Sequence, residues 1–135
     1  MAYEHQKVKA PSREELRDLI TEIGGPDRLR ELLSVFYQTM EKDLLIGFFF
    51  TGKDLNEISH QQSNFMLMAA GLIDRFDGKG PSTAHVKLPP ILQGHFDRRL
   101  VILREVLTAA SISPPLIERW IRFEESFRLV VVANP

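Results

Sequence analysis

Ala84-His85-Val86-Lys87-Leu88-Pro89-Pro90-Ile91 is the stretch on which the reading of this chain turns. Two successive prolines lack two backbone donors, and their rings clash with the preceding turn, so any helix reaching them must stop. His85 is therefore expected at the end of one short helical turn. The run Phe76-Asp77-Gly78-Lys79-Gly80-Pro81 precedes it, and a rigid corner follows. Such a support suits a side chain that must point at something from a loop-like position. The same octapeptide also fits an ordinary surface histidine, and what distinguishes the two readings is the order of residues on either side.

Upstream, Ser12-Arg13-Glu14-Glu15 has the S-x-x-E form of a capping box, which opens a helix ending at Ile23-Gly24-Gly25. Pro26 suits the first turn of a second helix, in which Leu29, Leu32, Leu33, Phe36 and Met40 recur at helical spacing, with Tyr37 flanking the stripe. Leu44-Leu45-Ile46-Gly47-Phe48-Phe49-Phe50 is too short for a full helix and too aromatic for an exposed loop. Three consecutive phenylalanines cannot all enter one small core. A tight corner bordering an aromatic-walled cavity accounts for them; a single strand or an ordinary packed corner is the alternative.

Asp54-Leu55-Asn56-Glu57 offers a further cap, and Ile58 to Ala70 reads as a helix closed by Gly71. Gln62 lies four residues after Ile58 and three before Phe65, so an amide falls on the side that also carries Met66. Such a glutamine either bonds a neighbouring helix or donates into a cavity. Beyond the prolines, Gln93-Gly94-His95-Phe96 opens a helix to about Ala110. Its inward stripe is Phe96, Leu100, Leu103 and Leu107, and Arg99 intrudes on the same side. An arginine there snorkels, pairs with an acid, or meets an anionic ligand. Ser113-Pro114 caps a last helix running through Trp120, Ile121 and Phe127 to Leu129-Val130-Val131-Val132.

The 135 residues are 44% apolar and 26% charged, enough for one domain with a real core. The expected division is a mobile tail over residues 1–12 and a single domain over 13–135. Seventeen basic and 18 acidic residues intermix to a net charge of -1, which disfavours nucleic acid and membrane as partners. Absence of cysteine excludes disulfides, thiolate metal sites and cysteine nucleophiles. The polar start Met1-Ala2-Tyr3-Glu4-His5 has no apolar stretch, so a cytoplasmic location is the default expectation. Gly78-Lys79-Gly80 lacks the length of a phosphate loop, and no His/Asp/Glu cluster has ligand spacing. An all-α chain with short connections implies a helical bundle or globin-like packing.

Taken in register, the pieces resemble the truncated hemoglobins from Ile23 to the last helix. Ile23-Gly24-Gly25 is similar to that family's opening glycine motif, Phe36-Tyr37 to its distal Phe-Tyr pair, and Asp43 through Phe50 to its turn into the corner phenylalanine. Phe65 and Met66 before Gly71 resemble the end of its distal helix. Phe76-Asp77-Gly78 resembles the aromatic-x-glycine before the proximal histidine, which gives His85 that role. The stretch from His85 to Pro90, with His95-Phe96-Asp97-Arg98, looks like the third subgroup. The glycine-rich loop is closer to the first, and the subgroup stays open.

The resemblance implies a globin-like, truncated 2-over-2 helical sandwich around a heme pocket, with heme b as cofactor and His85 as the iron ligand. It implies a diatomic gas as partner, stabilised by Tyr37 and Gln62, with Ile58 at the distal gate. Phe36, Phe49, Phe50, Phe65, Met66, Phe76, Leu88, Phe96 and Arg99 would surround the ring. A bound gas carrying partial negative charge favours the phenol and amide donors, and the imidazole's other nitrogen needs an acceptor. His60, two residues after Ile58, turns about 200° away and reads as a surface residue. His95 reads as a helix-start residue. Arg99 stands where the third subgroup has tryptophan, and Met66 where relatives carry a bulky aromatic; a charge at Arg99 would change the pocket's polarity or reach a propionate.

Reversible gas binding is the first expectation, by a monomer or homodimer. Redox chemistry, such as nitric oxide dioxygenation or peroxide reduction with a reductase partner, is the alternative. A heme-free globin-fold signalling or interaction module is the third.

Overall fold

Residues 9–74 and 88–133 are described by the computed structural model. Phe76, Asp77, Gly78 and His85 lie outside the described residues. The order is α1 (Arg13–Ile23), α2 (Pro26–Glu41), a 3₁₀ turn (Gly47–Phe50), α3 (Leu55–Ala69), α4 (Gln93–Ala109), α5 (Pro114–Glu125) and α6 (Arg128–Val131), with no strand among the described residues. Helix α2 packs against α3 and α4, and α5 against α4 and α1, giving the 2-over-2 sandwich.

The local signals behave as their chemistry requires. Ser12 Oγ accepts from the Glu15 amide at 3.1 Å while Glu15 Oε1 accepts from the Ser12 amide at 3.0 Å, a complete capping box. Gly24 and Gly25 have φ of 125° and 94°, a left-handed pair that turns the chain from α1 into Pro26. Tyr37 joins the buried stripe of α2 with Leu33, Phe36 and Met40, rather than merely flanking it. Burial of one such large apolar side chain contributes about 1.5–3 kcal/mol relative to exposure.

The corner after α2 is fixed by Asp43. Its Oδ2 accepts from the Leu45 and Ile46 amides at 3.0 and 3.2 Å, and its Oδ1 takes both Nε and Nη2 of Arg98 on α4. The Arg98 guanidinium and those amides hold the Asp43 carboxyl below its ordinary pKa, against the opposing effect of desolvation. The 3₁₀ turn that follows sends successive side chains about 120° apart. Phe49 is consequently buried, Phe50 half-buried and Phe48 49% exposed, which is how three phenylalanines share one corner.

Gly47 enters this turn so close to the end of α2 that an added Cβ would lie 2.4 Å from the Glu41 carbonyl oxygen. Gly47→Ala is expected to destabilise the fold by about 1–3 kcal/mol, since backbone rather than a flexible side chain must move. A denaturant midpoint equal to that of the parent protein would show that the corner relaxes without cost.

Helix α3 starts at Leu55, three residues before the expected Ile58, because Asp54 Oδ1 already caps the Asn56 and Glu57 amides. Its end is held by Arg17, which donates to the carbonyls of Ala70 and Gly71. The last helix breaks at Ser126 and resumes as α6. Arg128, buried at this break, bonds Gln93 Oε1 at 2.7 Å and pairs with Asp97 and Glu125 at 2.7 and 2.6 Å. Its guanidinium carbon lies 4.5 Å from the Phe96 ring centroid. The C-terminal turn is thereby clasped onto the start of α4.

Candidate functional site

Tyr37 is the centre of the site. Helix α2 buries its ring against Phe36, with centroids 5.5 Å apart, and Phe50 meets it edge-on at 5.8 Å. The Tyr37 hydroxyl oxygen accepts from Arg99 Nη2 at 3.5 Å, the outer limit of a hydrogen bond. Because guanidinium has donors only, this contact leaves the hydroxyl proton to be used elsewhere. No acceptor for it occurs among the described residues.

Helix α3, packed on α2, presents two stripes. Ser59, Ser63, Met66 and Leu67 face the core and are buried. Ser59 and Ser63 return their hydroxyls to the carbonyls of Asn56 and His60, so these small polar side chains enter the interface with their donors used. Ile58, Gln62, Phe65 and Ala69 form the second stripe and are half-buried. Gln62 is thus beside the fully buried stripe rather than within it, and its amide makes no hydrogen bond among the described residues. His60 is exposed and bonds Asn64 at 3.2 Å, as a surface residue does.

The remaining expected pocket residues divide. Phe50, Phe65 and Leu88 are half-buried against the core. Phe36 and Met66 are completely enclosed, Phe49 stacks on Phe48 and meets His95 edge-on, and Phe96 lies under Arg128. His95 Nδ1 accepts from the Leu92 amide at 3.0 Å, which makes it the starting cap of α4. The chain just beyond His85 is anchored: Leu88 and Ile91 pack on the core, and the Ile91 carbonyl accepts from Ala133 at 2.8 Å.

Of the roles open to Arg99, the structure shows pairing with an acid. Nε and Nη2 donate to Glu124 Oε2 on α5 at 3.3 and 3.2 Å, and Glu124 Oε1 accepts from the Trp120 indole at 3.4 Å. Burial alone would lower the Arg99 pKa; the Glu124 carboxylate and the Tyr37 phenol outweigh that and raise it, so the guanidinium stays charged. Glu124 is the partner of Arg99 that the sequence alone did not name. Its signal was present, because it lies four residues after the buried Trp120 and so shares the apolar face of α5.

The described residues thus offer a buried phenol whose proton is uncommitted, and on α3 a half-buried stripe with an amide that makes no hydrogen bond among them. Among the described residues there is no cluster of His, Asp or Glu able to hold a bare metal ion. No described helix is long and apolar enough to cross a membrane.

Comparison with known proteins bears on the family and the fold. A family model, bacterial-like globin, matches residues 18–132. A group 1 truncated hemoglobin from Tetrahymena pyriformis is 25% identical over 95 residues, 70% of this chain and 78% of that protein. The solved Fe(III) form of the Tetrahymena pyriformis truncated hemoglobin superposes with a TM-score of 0.77 at 22% identity, covering 86% of this chain and 98% of the other. The 2/2 hemoglobin of a Synechococcus species, solved in a cyanomet state with covalently attached heme, gives 0.71 at 24% identity, covering 84% and 97%. The chain belongs to the bacterial-like globin family.

Proposed function

We propose that this protein holds heme b with His85 as the proximal iron ligand and reversibly takes up a diatomic gas, such as dioxygen, nitric oxide or carbon monoxide, beside Tyr37. Heme, which globins bind, supplies an iron with a coordination position at which such a gas can attach. What the chain itself contributes is ligation, polarity and exclusion of water.

The observation that carries the reading is the Tyr37 hydroxyl: 5% exposed, its oxygen occupied by Arg99, its proton without an acceptor among the described residues. A buried donor left unused costs free energy, and a partly negative ligand atom would satisfy it. Ile58 and Gln62, half-buried on α3, would supply an apolar gate and a second donor. The Leu88 and Ile91 anchors would hold the chain carrying His85 against the core.

Oxygen dissociation followed by stopped-flow absorbance tests the assignment. Tyr37→Phe keeps the ring and its packing and removes one hydrogen bond, so dissociation is expected to speed up about tenfold. An unchanged rate would remove Tyr37 from the distal role.

A further inference from the structure

We propose that Arg99 is a positioning residue for the distal phenol: clamped by Glu124, it donates to the Tyr37 oxygen and thereby turns the Tyr37 proton toward the gas ligand. The inference rests on the distal role of Tyr37 proposed above, and goes beyond it by assigning the residues that aim the donor.

The guanidinium is restrained from two neighbouring helices, α5 and α2. On its acidic side, Nε and Nη2 share Glu124 Oε2, and Trp120 fixes the other oxygen of that carboxylate. On the α2 side, Nη1 lies 3.7 Å from Met40 Sδ, and the guanidinium carbon is 4.9 Å from the Phe36 ring centroid. Met40, Phe36, Trp120 and Glu124 are all buried, so the fork has little freedom to swing.

A fork fixed in this way fixes the phenol. A hydroxyl beside an apolar neighbour rotates between orientations, and only one of them serves a ligand. Beside a donor-only group its proton must point away from that group, so Arg99 excludes one orientation. The chain from Trp120 through Glu124 and Arg99 to Tyr37 also polarises the phenol as a donor, as linked hydrogen bonds do in a low-dielectric interior. Glu124 balances the charge, so the device adds direction without leaving an uncompensated cation.

A purely structural ion pair would stabilise the fold and leave ligand polarity untouched, so the test reads the ligand. The carbon monoxide complex is prepared for the parent protein, Tyr37→Phe, Arg99→Met and the pair Arg99→Met/Glu124→Gln, and the C–O stretch is recorded by infrared spectroscopy. The pair variant removes both charges and keeps an acceptor for Trp120, so it serves if Arg99→Met alone does not fold. A donor aimed at the ligand lowers the stretch; Tyr37→Phe is expected to raise it to a single higher frequency.

Loss of Arg99 is expected to split the band, with one component at the Tyr37→Phe position, and to speed oxygen dissociation about three- to tenfold. These effects should vanish when Arg99 is replaced in the Tyr37→Phe background. A single band at the parent frequency with unchanged dissociation overturns the proposal. So does an equal effect in the Tyr37→Phe background, which would mean that Arg99 acts on the ligand directly. If Tyr37→Phe itself moves neither band nor rate, the distal assignment fails first, a result distinct from failure of the Arg99 device.

Discussion

Replacing His85 with alanine is expected to weaken heme retention by at least about two orders of magnitude, since removing even a supporting partner of a metal ligand commonly costs about 10–100-fold. The variant should purify with little bound pigment and release added hemin rapidly to a heme-binding acceptor protein. The fold should survive, because α1, α2, α4 and α5 contribute a core of fully buried residues such as Leu19, Leu33, Leu103 and Trp120. Far-ultraviolet circular dichroism close to that of the parent protein separates lost ligation from lost folding. Full heme retention by a folded His85→Ala protein would assign the iron ligand elsewhere.

The second large effect is expected at Glu124. Truncation to alanine leaves the Arg99 guanidinium in the interior without its carboxylate and takes the acceptor from the Trp120 indole. Breaking a buried pair from one side costs about 3–5 kcal/mol, because the stranded charge keeps its desolvation penalty. In a domain of this size that corresponds to a fall in melting temperature on the order of 10–20 °C. Removing both charges, as in Arg99→Met/Glu124→Leu, should recover most of the loss, because the penalty belongs to the unpaired partner. A Glu124→Ala protein within about 0.5 kcal/mol of the parent would mean that Arg99 finds water or another acid, and the clamp on Tyr37 would lose its basis.

These two sites also mark what the amino-acid order reveals. Signals that act within four residues were legible: the Ser12 capping box, the Gly24-Gly25 turn into Pro26, the Asp54 cap and His95 at the start of α4 all follow from local hydrogen bonding. The three phenylalanines were legible as a corner, but their separate fates depended on 3₁₀ geometry that periodicity alone does not supply. The Arg99 side chain was recognised as out of place on an apolar stripe. Its partner was not named, since the two residues are 25 apart and meet only through the crossing of α4 and α5.

Gln62 illustrates a different limit. Its spacing from Ile58 and Phe65 was right, yet α3 carries its fully buried stripe one step further round, on Ser59, Ser63 and Met66. The small Ser59 and Ser63 are buried, and the larger Ile58, Gln62 and Phe65 are left half-buried beside that stripe. Hydropathy alone assigns the larger apolar residues to the core. Here the stripe that carries the small serines is the one buried instead.

The most direct test of the account is titration of the apoprotein with hemin, followed by visible absorption. A heme globin with a proximal histidine predicts saturation at one heme per chain, with an intense, sharp band that is absent or broad in His85→Ala. Gradual uptake without an end point, or an identical titration by His85→Ala, would contradict it.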